Sequence, residues 1–435
     1  EARFAAKGSA IIGASTQAFD AGHAAGTELA NTVSTEGTSP WALPWASDAD
    51  EASDASEHWN LTGNEGCGLG ALRGGIRFAA AYPITPASDM LEWLAPRLEQ
   101  LGGSLLQAED ELASINMVTG ASFGGIPAMT ATSGPGLSLM LEGMGLAVAS
   151  ETPALVVNVM RGGPSTGIPT KSEQTDLDQA LHGLHGDAPH LVFGALDHSD
   201  CVLTTEWATR LAEHLQTVAV VLSDQNLAQS RALVPAPAYK LPTIPARSLA
   251  APSEHYERYA VTESGVSPMA RPGTPGGMYT ADGLEHEASG KPSTAGANHA
   301  EQLDKRQRKI TGYDYGALWA EIRDYTQGEQ PSTALLTWGS TTGAAREAAQ
   351  RSAADGHAVR LIALRLLAPA QPGAMAEALE GIDRVLVLEQ SHSKQFHRYL
   401  RAHYDLNASV SVLARPGPLL FTPGEVFARL QEMDS

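Results

Sequence analysis

Short runs of apolar residues recur along the chain, each followed by a turn containing Gly or Pro and then by apolar residues at helical spacing. Runs of this kind predict buried β-strands that alternate with helices. Within residues 61–230 the strands are predicted at 105–106, 128–131, 154–160, 191–193 and 218–222. Four or five strand–helix repeats indicate an α/β domain, with a parallel sheet covered by helices on both faces.

The rest of the chain divides by composition into four further segments. Residues 310–435 predict a second, smaller α/β unit with strands at 333–338, 359–363 and 385–389. Residues 231–309 are rich in Pro and Gly and predict a connector that continues into a lid or an arm. Residues 1–23 predict one short helix, and residues 24–60 predict an acidic, flexible linker because they carry no apolar period.

Charge and cysteine content exclude several classes of function. The 435 residues contain 29 Lys and Arg against 49 Asp and Glu, a formal charge of −20 that argues against nucleic acid and anionic membranes as partners. Cys67 and Cys201 are the only cysteines, too few to ligate a four-cysteine iron–sulfur cluster. No apolar run is long enough to span a membrane, so we expect a soluble, cytoplasmic protein.

A glycine-rich segment near residue 66 offers a first candidate site. Gly66, Gly68 and Ala71 fit the pattern G-x-G-x-x-A of dinucleotide-binding turns, and Asp89 follows roughly 20 residues later. That fingerprint requires a buried strand before it, and the preceding residues contain only a two-residue apolar run. The pattern therefore favours a helix of small residues packed closely on its neighbour.

The segment Tyr82-Pro83-Ile84-Thr85-Pro86 follows a predicted strand and contains two prolines. A rigid turn at the carboxyl end of a strand is where α/β proteins place ligand contacts, so Thr85 is a candidate to bind an oxygen of a ligand. Equally, the turn simply ends the strand, with Thr85 or Ser88 as the N-cap of the next helix. The residues alone favour neither interpretation.

Two further strand ends carry polar residues. Glu109, Asp110 and Glu111 lie where a strand gives way to a helix; such acids usually stabilise the helix dipole, but Glu109 is also placed to face a crevice. Ser133 and Gly134 lie in a Gly-rich turn that is a candidate anion cradle. This turn lacks the Gly-Lys-Ser/Thr ending of a nucleotide-binding loop, which argues against an NTPase.

Arg161 follows another buried strand and opens the loop GGPSTGIPT, which ends at Thr170. A guanidinium in that position predicts a grip on a carboxylate, and the alternative is an exposed ion pair. His182, His185 and His190 lie close together in sequence, but no carboxylate or thiol completes a convincing ligand set. No metal site is therefore predicted in this chain.

Several of these motifs together resemble one protein family. The α subunits of the two-subunit 2-oxoacid:ferredoxin oxidoreductases are similar over about residues 61–435, and the 2-oxoglutarate branch is the most similar. The motifs that carry the resemblance include AAYPITPASDML, QAEDELASINMVTGAS, MTATSGPGLSLMLEGMGLAVASETP, MRGGPSTGIPTKSEQTDLDQALHGLHGD, LLTWGS and VLVLEQ.

The resemblance implies a fold and an activity. The fold is a pyrimidine-binding domain for thiamine diphosphate, followed by a smaller α/β domain like the C-terminal domain of transketolase. A β subunit would hold the diphosphate, its Mg2+ and a [4Fe–4S] cluster, in a heterotetramer of two α and two β subunits. The reaction would convert 2-oxoglutarate, CoA and oxidised ferredoxin into succinyl-CoA, CO2 and reduced ferredoxin. Its reverse would fix CO2, as in the reductive TCA cycle.

Site roles follow from the same resemblance, residue by residue. Glu109 matches the glutamate that hydrogen-bonds the aminopyrimidine of the cofactor. The residues that match those orienting the 2-oxo acid are Thr85, Arg161 and Thr170. Further cofactor contacts are expected at Tyr82, Pro83, Ile84, Ser133 and Gly134.

The resemblance also leaves departures and alternatives. Members of the family often carry a γ domain before the α domain. In this sequence only residues 1–23 resemble the end of such a γ domain. Asp187, His190 and the pair Glu389-Gln390 replace residues more usual in the family. Specificity for pyruvate or another 2-oxo acid is one alternative, and a non-catalytic scaffold that only binds a partner is another.

Overall fold

The computed structural model describes residues 8–34, 57–236, 239, 241–250 and 255–434, and it separates residues 1–56 from the main unit, 57–435. The first unit contains helix α1 (Ser9–Ser34). Because residues 24–34 contain Ala, Leu and Glu and no Pro, they extend this helix, and the predicted start of a linker at residue 24 is wrong. The predicted end at residue 60 is also wrong, since a strand begins at His58. Linker residues 35–56 lie outside the described residues.

The main unit alternates strands and helices along the chain. Its first half contains β1 (His58–Thr62), α2 (Gly63–Gly74), β2 (Phe78–Ala81), α3 (Ser88–Gln100), β3 (Ser104–Gln107), α4 (Glu111–Phe123), β4 (Ala128–Thr132), α5 (Gly134–Ala149), β5 (Ala154–Met160), α6 (Leu177–His182), β6 (Leu191–Gly194), α7 (His198–Leu215), β7 (Val218–Asp224), α8 (Gln225–Gln229) and β8 (Arg231–Pro235). Its second half contains α9 (Gly296–Thr311), β9 (Ala320–Tyr325), β10 (Thr333–Trp338), α10 (Thr342–Ala354), β11 (Val359–Leu364), β12 (Leu366–Ala368), α11 (Pro372–Ala378), β13 (Arg384–Glu389), α12 (Gln395–His403), β14 (Ser409–Ala414) and α13 (Pro423–Asp434).

A seven-stranded sheet has the order β12-β6-β7-β5-β4-β2-β3. All of its pairings are parallel except that of β12 with β6. Each strand predicted within residues 61–230 is confirmed, and β5 and β7 are buried along their whole length. The α/β class with a parallel sheet is therefore confirmed.

A second sheet of five strands has the order β14-β13-β10-β11-β9. The three strands predicted after residue 310 are its parallel centre, and β9 joins as an antiparallel edge. The strand β12 follows β11 along the chain but pairs with the first sheet. Because consecutive strands of the chain belong to different sheets, β11 and β12 join the two sheets into one unit.

Residues 231–309 contain more secondary structure than the predicted connector and arm would have. The strand β8 pairs with β1 in an antiparallel ribbon, and α9 occupies the end of the segment. The prediction that a connector and an arm continue to residue 309 is therefore wrong in its last part, which is helical from Gly296. The hydrophobic pattern missed α9 because its buried face is largely polar, with Gln302, Lys305, Arg306 and Lys309 beside Ile310.

The buried polar face of α9 forms a charge cluster with Glu151, the second residue after the C-terminal end of α5. Glu151 is fully buried and accepts hydrogen bonds from Lys305 Nζ at 2.7 Å and Lys309 Nζ at 2.9 Å. Arg258 donates to the Glu151 carbonyl oxygen at 2.8 Å. Burial opposes ionisation, but Lys309, Lys305 and Arg258 hold the pKa of Glu151 well below its usual range. These cations also interact favourably with the negative end of the α5 helix dipole.

The glycines near residue 66 belong to helix packing. Gly66 and Gly70 lie on α2 against α7, where a Cβ on Gly66 would lie 3.0 Å from the Cys201 Cβ. A Cβ on Gly70 would lie 2.4 Å from the Val202 carbonyl oxygen. This close approach confirms the interpretation as a helix of small residues.

Replacing Glu151 tests the charge cluster as the anchor of α9. We expect Glu151→Gln to lower the free energy of unfolding by roughly 3 to 5 kcal/mol, because it leaves buried cations without their counter-charge. The control Glu432→Gln removes an exposed pair with Arg429 and should cost less than about 1 kcal/mol. Denaturant unfolding measures both. Equal, small losses for the two variants would contradict the anchor.

Candidate functional site

The predicted site residues follow four neighbouring strands. The strands β3, β2, β4 and β5 are adjacent and parallel, so their carboxyl ends lie at one edge of the sheet. The residues just after these ends are, in the same order, Glu109, the turn that contains Thr85, Ser133 and Arg161. The fold thus aligns polar groups from separate parts of the sequence.

The turn after β2 is held at both of its ends by hydrogen bonds to backbone carbonyls. The Asn64 side-chain amide donates to the Pro86 carbonyl oxygen at 2.9 Å, and just before the turn the Ala108 N–H donates to the Ala81 carbonyl oxygen at 3.0 Å. Helix α3 has Ala87 at its N-cap with no side-chain cap. The alternative that Thr85 or Ser88 caps this helix is therefore wrong. Within the turn, Tyr82, Pro83 and Thr85 are exposed, whereas Ile84 is half-buried.

The three acids after β3 have three different environments. Asp110 is the N-cap of α4 and accepts a hydrogen bond from the Ala113 N–H at 2.7 Å. Glu111 is buried against α5, where a Cβ on Gly136 would lie 2.5 Å from its Oε1. Glu109 is exposed, and no residue in the described part of the chain hydrogen-bonds its carboxylate. Its carboxylate is therefore available to a ligand.

The turn after β4 places a buried hydroxyl and a helix N-terminus at the same edge. Ser133 is fully buried, and its Oγ has no hydrogen-bond partner among the described residues. Gly134 begins α5, and a Cβ there would lie 2.8 Å from both carboxylate oxygens of Asp176. A carboxyl group of the protein itself thus lies beside this predicted anion cradle.

Arg161 is fixed by the turn after β2. Its Nη1 donates to the Thr85 carbonyl oxygen at 2.6 Å, while its buried Nε has no partner among the described residues. No carboxylate of the described chain lies within 4.0 Å of this guanidinium, so the ion-pair alternative finds no support. The loop after Arg161 closes through a 2.9 Å hydrogen bond from the Gly162 N–H to the Lys171 carbonyl oxygen, next to half-buried Thr170.

Arg161 faces a cavity of about 440 Å³ that contains two buried acids. Glu173 is 6% exposed and Asp176 is 8% exposed. Burial and the nearby charge of Glu173 raise the pKa of Asp176 to about 6, although a hydrogen bond from Asn158 and the charge of Arg161 act in the opposite direction. These acids were not predicted, because they occur in a polar segment, SEQTD, that resembles a solvated loop.

The second sheet holds this acidic segment in place. The Gln174 side chain donates to the Trp338 carbonyl oxygen at 2.7 Å and accepts from the Gln390 N–H at 2.7 Å. The Gln174 N–H donates to the Gln390 carbonyl oxygen at 2.8 Å, and Glu173 accepts from the Gly417 N–H at 2.7 Å. The two sheets therefore share the loop that lines the cavity.

The remaining candidates have structural environments. His190 is buried, and its ring nitrogens lie 2.8 Å from the Ala188 carbonyl oxygen and 2.7 Å from that of Ala180. Glu389 accepts hydrogen bonds from Phe396 N–H and His397 N–H at the start of α12. Within the described ranges, no group of three or more His, Cys, Asp or Glu residues is arranged to hold a metal. None of the described helices is long and apolar enough to span a bilayer.

Comparison with known proteins gives one family. Residues 69–305 match the family described as pyruvate flavodoxin/ferredoxin oxidoreductase, thiamine diphosphate-binding. The 2-oxoacid:ferredoxin oxidoreductase subunit alpha of Saccharolobus solfataricus is 34% identical over 83% of this chain and 60% of that protein. The 2-oxoglutarate synthase subunit KorA of Methanothermobacter marburgensis is 31% identical over 87% of this chain and 100% of that protein.

A solved structure is similar over the whole chain. The 2-oxoglutarate:ferredoxin oxidoreductase from Magnetococcus marinus, with 2-oxoglutarate, coenzyme A and succinyl-CoA bound, is 38% identical with a TM-score of 0.86. The match covers 100% of this chain and 73% of that one. The chain spans 57 to 60% of the length of the first curated relatives that it matches.

Proposed function

The chain belongs to the α subunits of the 2-oxoacid:ferredoxin oxidoreductases, and we propose that within this family it acts on 2-oxoglutarate. The proposed reaction converts 2-oxoglutarate, CoA and oxidised ferredoxin into succinyl-CoA, CO2 and reduced ferredoxin, or runs in reverse. The observation that carries this proposal is the alignment of Glu109, Thr85 and Arg161 along one sheet edge. The choice of substrate rests on the names of the relatives and on the ligands of the Magnetococcus structure.

Thiamine diphosphate fits the groups that the edge presents. Glu109 offers a carboxylate without a partner in the described chain, and Ser133 offers an unpartnered buried hydroxyl two strands away. In this proposal Glu109 binds the aminopyrimidine and exchanges a proton with it, while the turn from Tyr82 to Ile84 and Gly134 complete the cofactor contacts. When bound, the cofactor supplies a nucleophilic carbon and an electron sink for the loss of CO2.

A second subunit would complete the site. Glu109 is exposed, and the apolar side chains of Tyr82, Leu106, Leu112 and Met117 nearby are 42, 44, 46 and 38% exposed. Apolar surface beside a catalytic carboxylate favours coverage by another chain. The two cysteines cannot ligate a [4Fe–4S] cluster, so the cluster and the Mg2+–diphosphate site are assigned to a β subunit in a heterotetramer.

Arg161 and Thr170 are proposed to orient the 2-oxo acid, together with Thr85. The Nη1–Thr85 hydrogen bond fixes the guanidinium, and the unpartnered Nε leaves a donor for a substrate carboxylate. Ferredoxin is expected to dock on the β subunit, because ferredoxins are generally acidic and this chain carries −20.

Reconstitution with a cysteine-rich β subunit tests the proposed function. We expect the purified chain alone to be colourless and inactive, and the complex to reduce a viologen dye in the presence of 2-oxoglutarate and CoA. Stoichiometric iron and sulfide in the single chain would contradict the division of labour. A complex that turns over pyruvate but not 2-oxoglutarate would refute the substrate assignment, and one inert to every 2-oxo acid would favour a scaffold.

Replacing Glu109 tests its role as the proton-exchanging acid. In the complex, Glu109→Gln should lower kcat by ~10²- to 10⁴-fold, because the amide keeps the shape but cannot exchange the proton. The control Asp110→Asn should be mild, since Asn also caps helices well. Single-turnover and steady-state kinetics measure both, alongside cluster content. Near-normal turnover in Glu109→Gln would return Glu109 to the helix-dipole interpretation.

Replacing Arg161 tests the grip on the substrate. Arg161→Ala should lower kcat/KM for 2-oxoglutarate by roughly 10- to 150-fold, the equivalent of one charge-assisted hydrogen-bonding partner worth ~1.5 to 3 kcal/mol. Arg161→Lys should recover only part of this loss, because Lys lacks the fork of donors. The control Lys171→Gln removes a nearby exposed charge and should change little. Wild-type kcat/KM with a lower melting temperature would show that Arg161 only supports the Thr85 turn.

A further inference from the structure

The cavity beside Arg161 has an unusual balance of charge. One guanidinium faces it, together with two carboxyl groups that are both more than nine-tenths buried. Neither Glu173 nor Asp176 has a cationic nitrogen of the described chain within 4.0 Å. A buried acid is normally paired with a cation, so two such acids in one cavity need another explanation.

The hydrogen bonds of the two acids differ. Glu173 accepts from the Gly417 N–H at 2.7 Å and from the Thr175 hydroxyl at 3.3 Å. Asp176 accepts from the neutral Asn158 amide at 2.9 Å. Although Asp176 occupies the N-cap position of α6, its side chain makes no capping hydrogen bond. Asp176 is therefore the acid whose charge is less well supported, with one hydrogen bond from a neutral amide among the described residues.

Among the described residues, the charged groups that act on Asp176 come from the ends of β5 and α5 and from its own loop. Arg161 and the N-terminus of α5 favour its ionised form, and Glu173 opposes it. The next acid on α6, Asp178, is exposed and pairs with Arg398. Burial is the largest influence, and with Glu173 it raises the pKa of Asp176 to about 6. An anion bound beside Arg161 would raise this pKa further, because it adds a negative charge close by.

We propose that Asp176 is a proton-linked residue of the substrate site, which takes up a proton when a carboxylate of the substrate enters the cavity beside Arg161. The ionised carboxyl of Asp176 accepts one proton from solvent as one anionic substrate binds. This proton neutralises the charge of Asp176 and so offsets one of the negative charges that the substrate brings into the cavity. This inference rests on the proposed function, because the anion is the 2-oxo acid. It makes the affinity for substrate depend on pH through a residue that is not part of the chemistry.

The linkage has a definite sign. Substrate binds most tightly at a pH where Asp176 is already protonated in the free protein. The affinity falls as pH rises above about 6, the pKa of Asp176 in the free protein. It stops falling above the higher pKa that Asp176 has in the substrate complex. The KM for 2-oxoglutarate should therefore rise with pH, by up to about tenfold per unit. Asp176→Asn mimics the protonated acid and should give a low KM that is independent of pH between 6 and 8.

Kinetics of the reconstituted complex from pH 5 to 8 provide the first test, with KM and kcat measured separately. The matched control is Asp178→Asn, two residues further along at the start of α6 with a 41% exposed side chain, which should keep the wild-type profile. Glu173→Gln removes a charge that raises the pKa of Asp176 and should move the start of the KM rise to lower pH. A purely structural role for Asp176 would not predict this displacement.

Calorimetry provides a second test without turnover. Glutarate, which lacks the 2-oxo group, is titrated into the complex at pH 7.5 in two buffers with different ionisation enthalpies. Wild type should take up a measurable fraction of a proton per site, and Asp176→Asn should take up none. Since the folded chain binds this proton more tightly than the unfolded chain, stability falls as pH rises towards 6. Asp176→Asn should consequently melt no lower than wild type at pH 8.

The outcomes separate this inference from the function that it rests on. Turnover of 2-oxoglutarate with a KM that is flat in pH, or an equally pH-dependent KM in Asp176→Asn, would overturn the proton linkage alone. If the complex neither turns over nor binds any 2-oxo acid or glutarate, the proposed function fails and the linkage fails with it.

Discussion

The parallel order of four neighbouring strands is the constraint on which the site depends. Because β3, β2, β4 and β5 run in one direction, their carboxyl ends meet at one edge, and residues from 82 to 161 become neighbours there. The hydrogen bond from Arg161 to the Thr85 carbonyl oxygen joins two of these ends directly. Buried apolar strands therefore determine where the polar groups lie, although they take no part in the chemistry.

Two sets of buried polar contacts hold the rest of the chain against this sheet. Glu151 binds the lysines of α9, and Gln174 joins the acidic loop to Trp338 and Gln390 of the second sheet. Such contacts are directional and costly to leave unmade, so they define one arrangement of the connecting segments. By contrast, Glu109 is exposed, which fits a site completed by a second subunit.

The sequence predicted the strands well and the polar packing poorly. An apolar run such as residues 154–160 forms a strand that is buried on both faces, so the run of apolar residues is sufficient to predict the strand. The helix α9 was missed because the charges of Lys305 and Lys309 are buried against Glu151, about 150 residues away. For the same reason, spacing could not distinguish Glu109 from Asp110 and Glu111, and it did not identify Asp176. Their environments depend on contacts with α5 and Asn158 that no local pattern contains.

A structure of the complex with its β subunit, thiamine diphosphate and 2-oxoglutarate would test the central claim most directly. The account predicts that the Glu109 carboxyl lies within hydrogen-bonding distance of the pyrimidine ring of the cofactor. It also predicts that the Arg161 guanidinium contacts a carboxylate of the substrate, at the edge formed by β3, β2, β4 and β5. A cofactor bound elsewhere, with Glu109 left in solvent or buried only by the partner, would contradict the account.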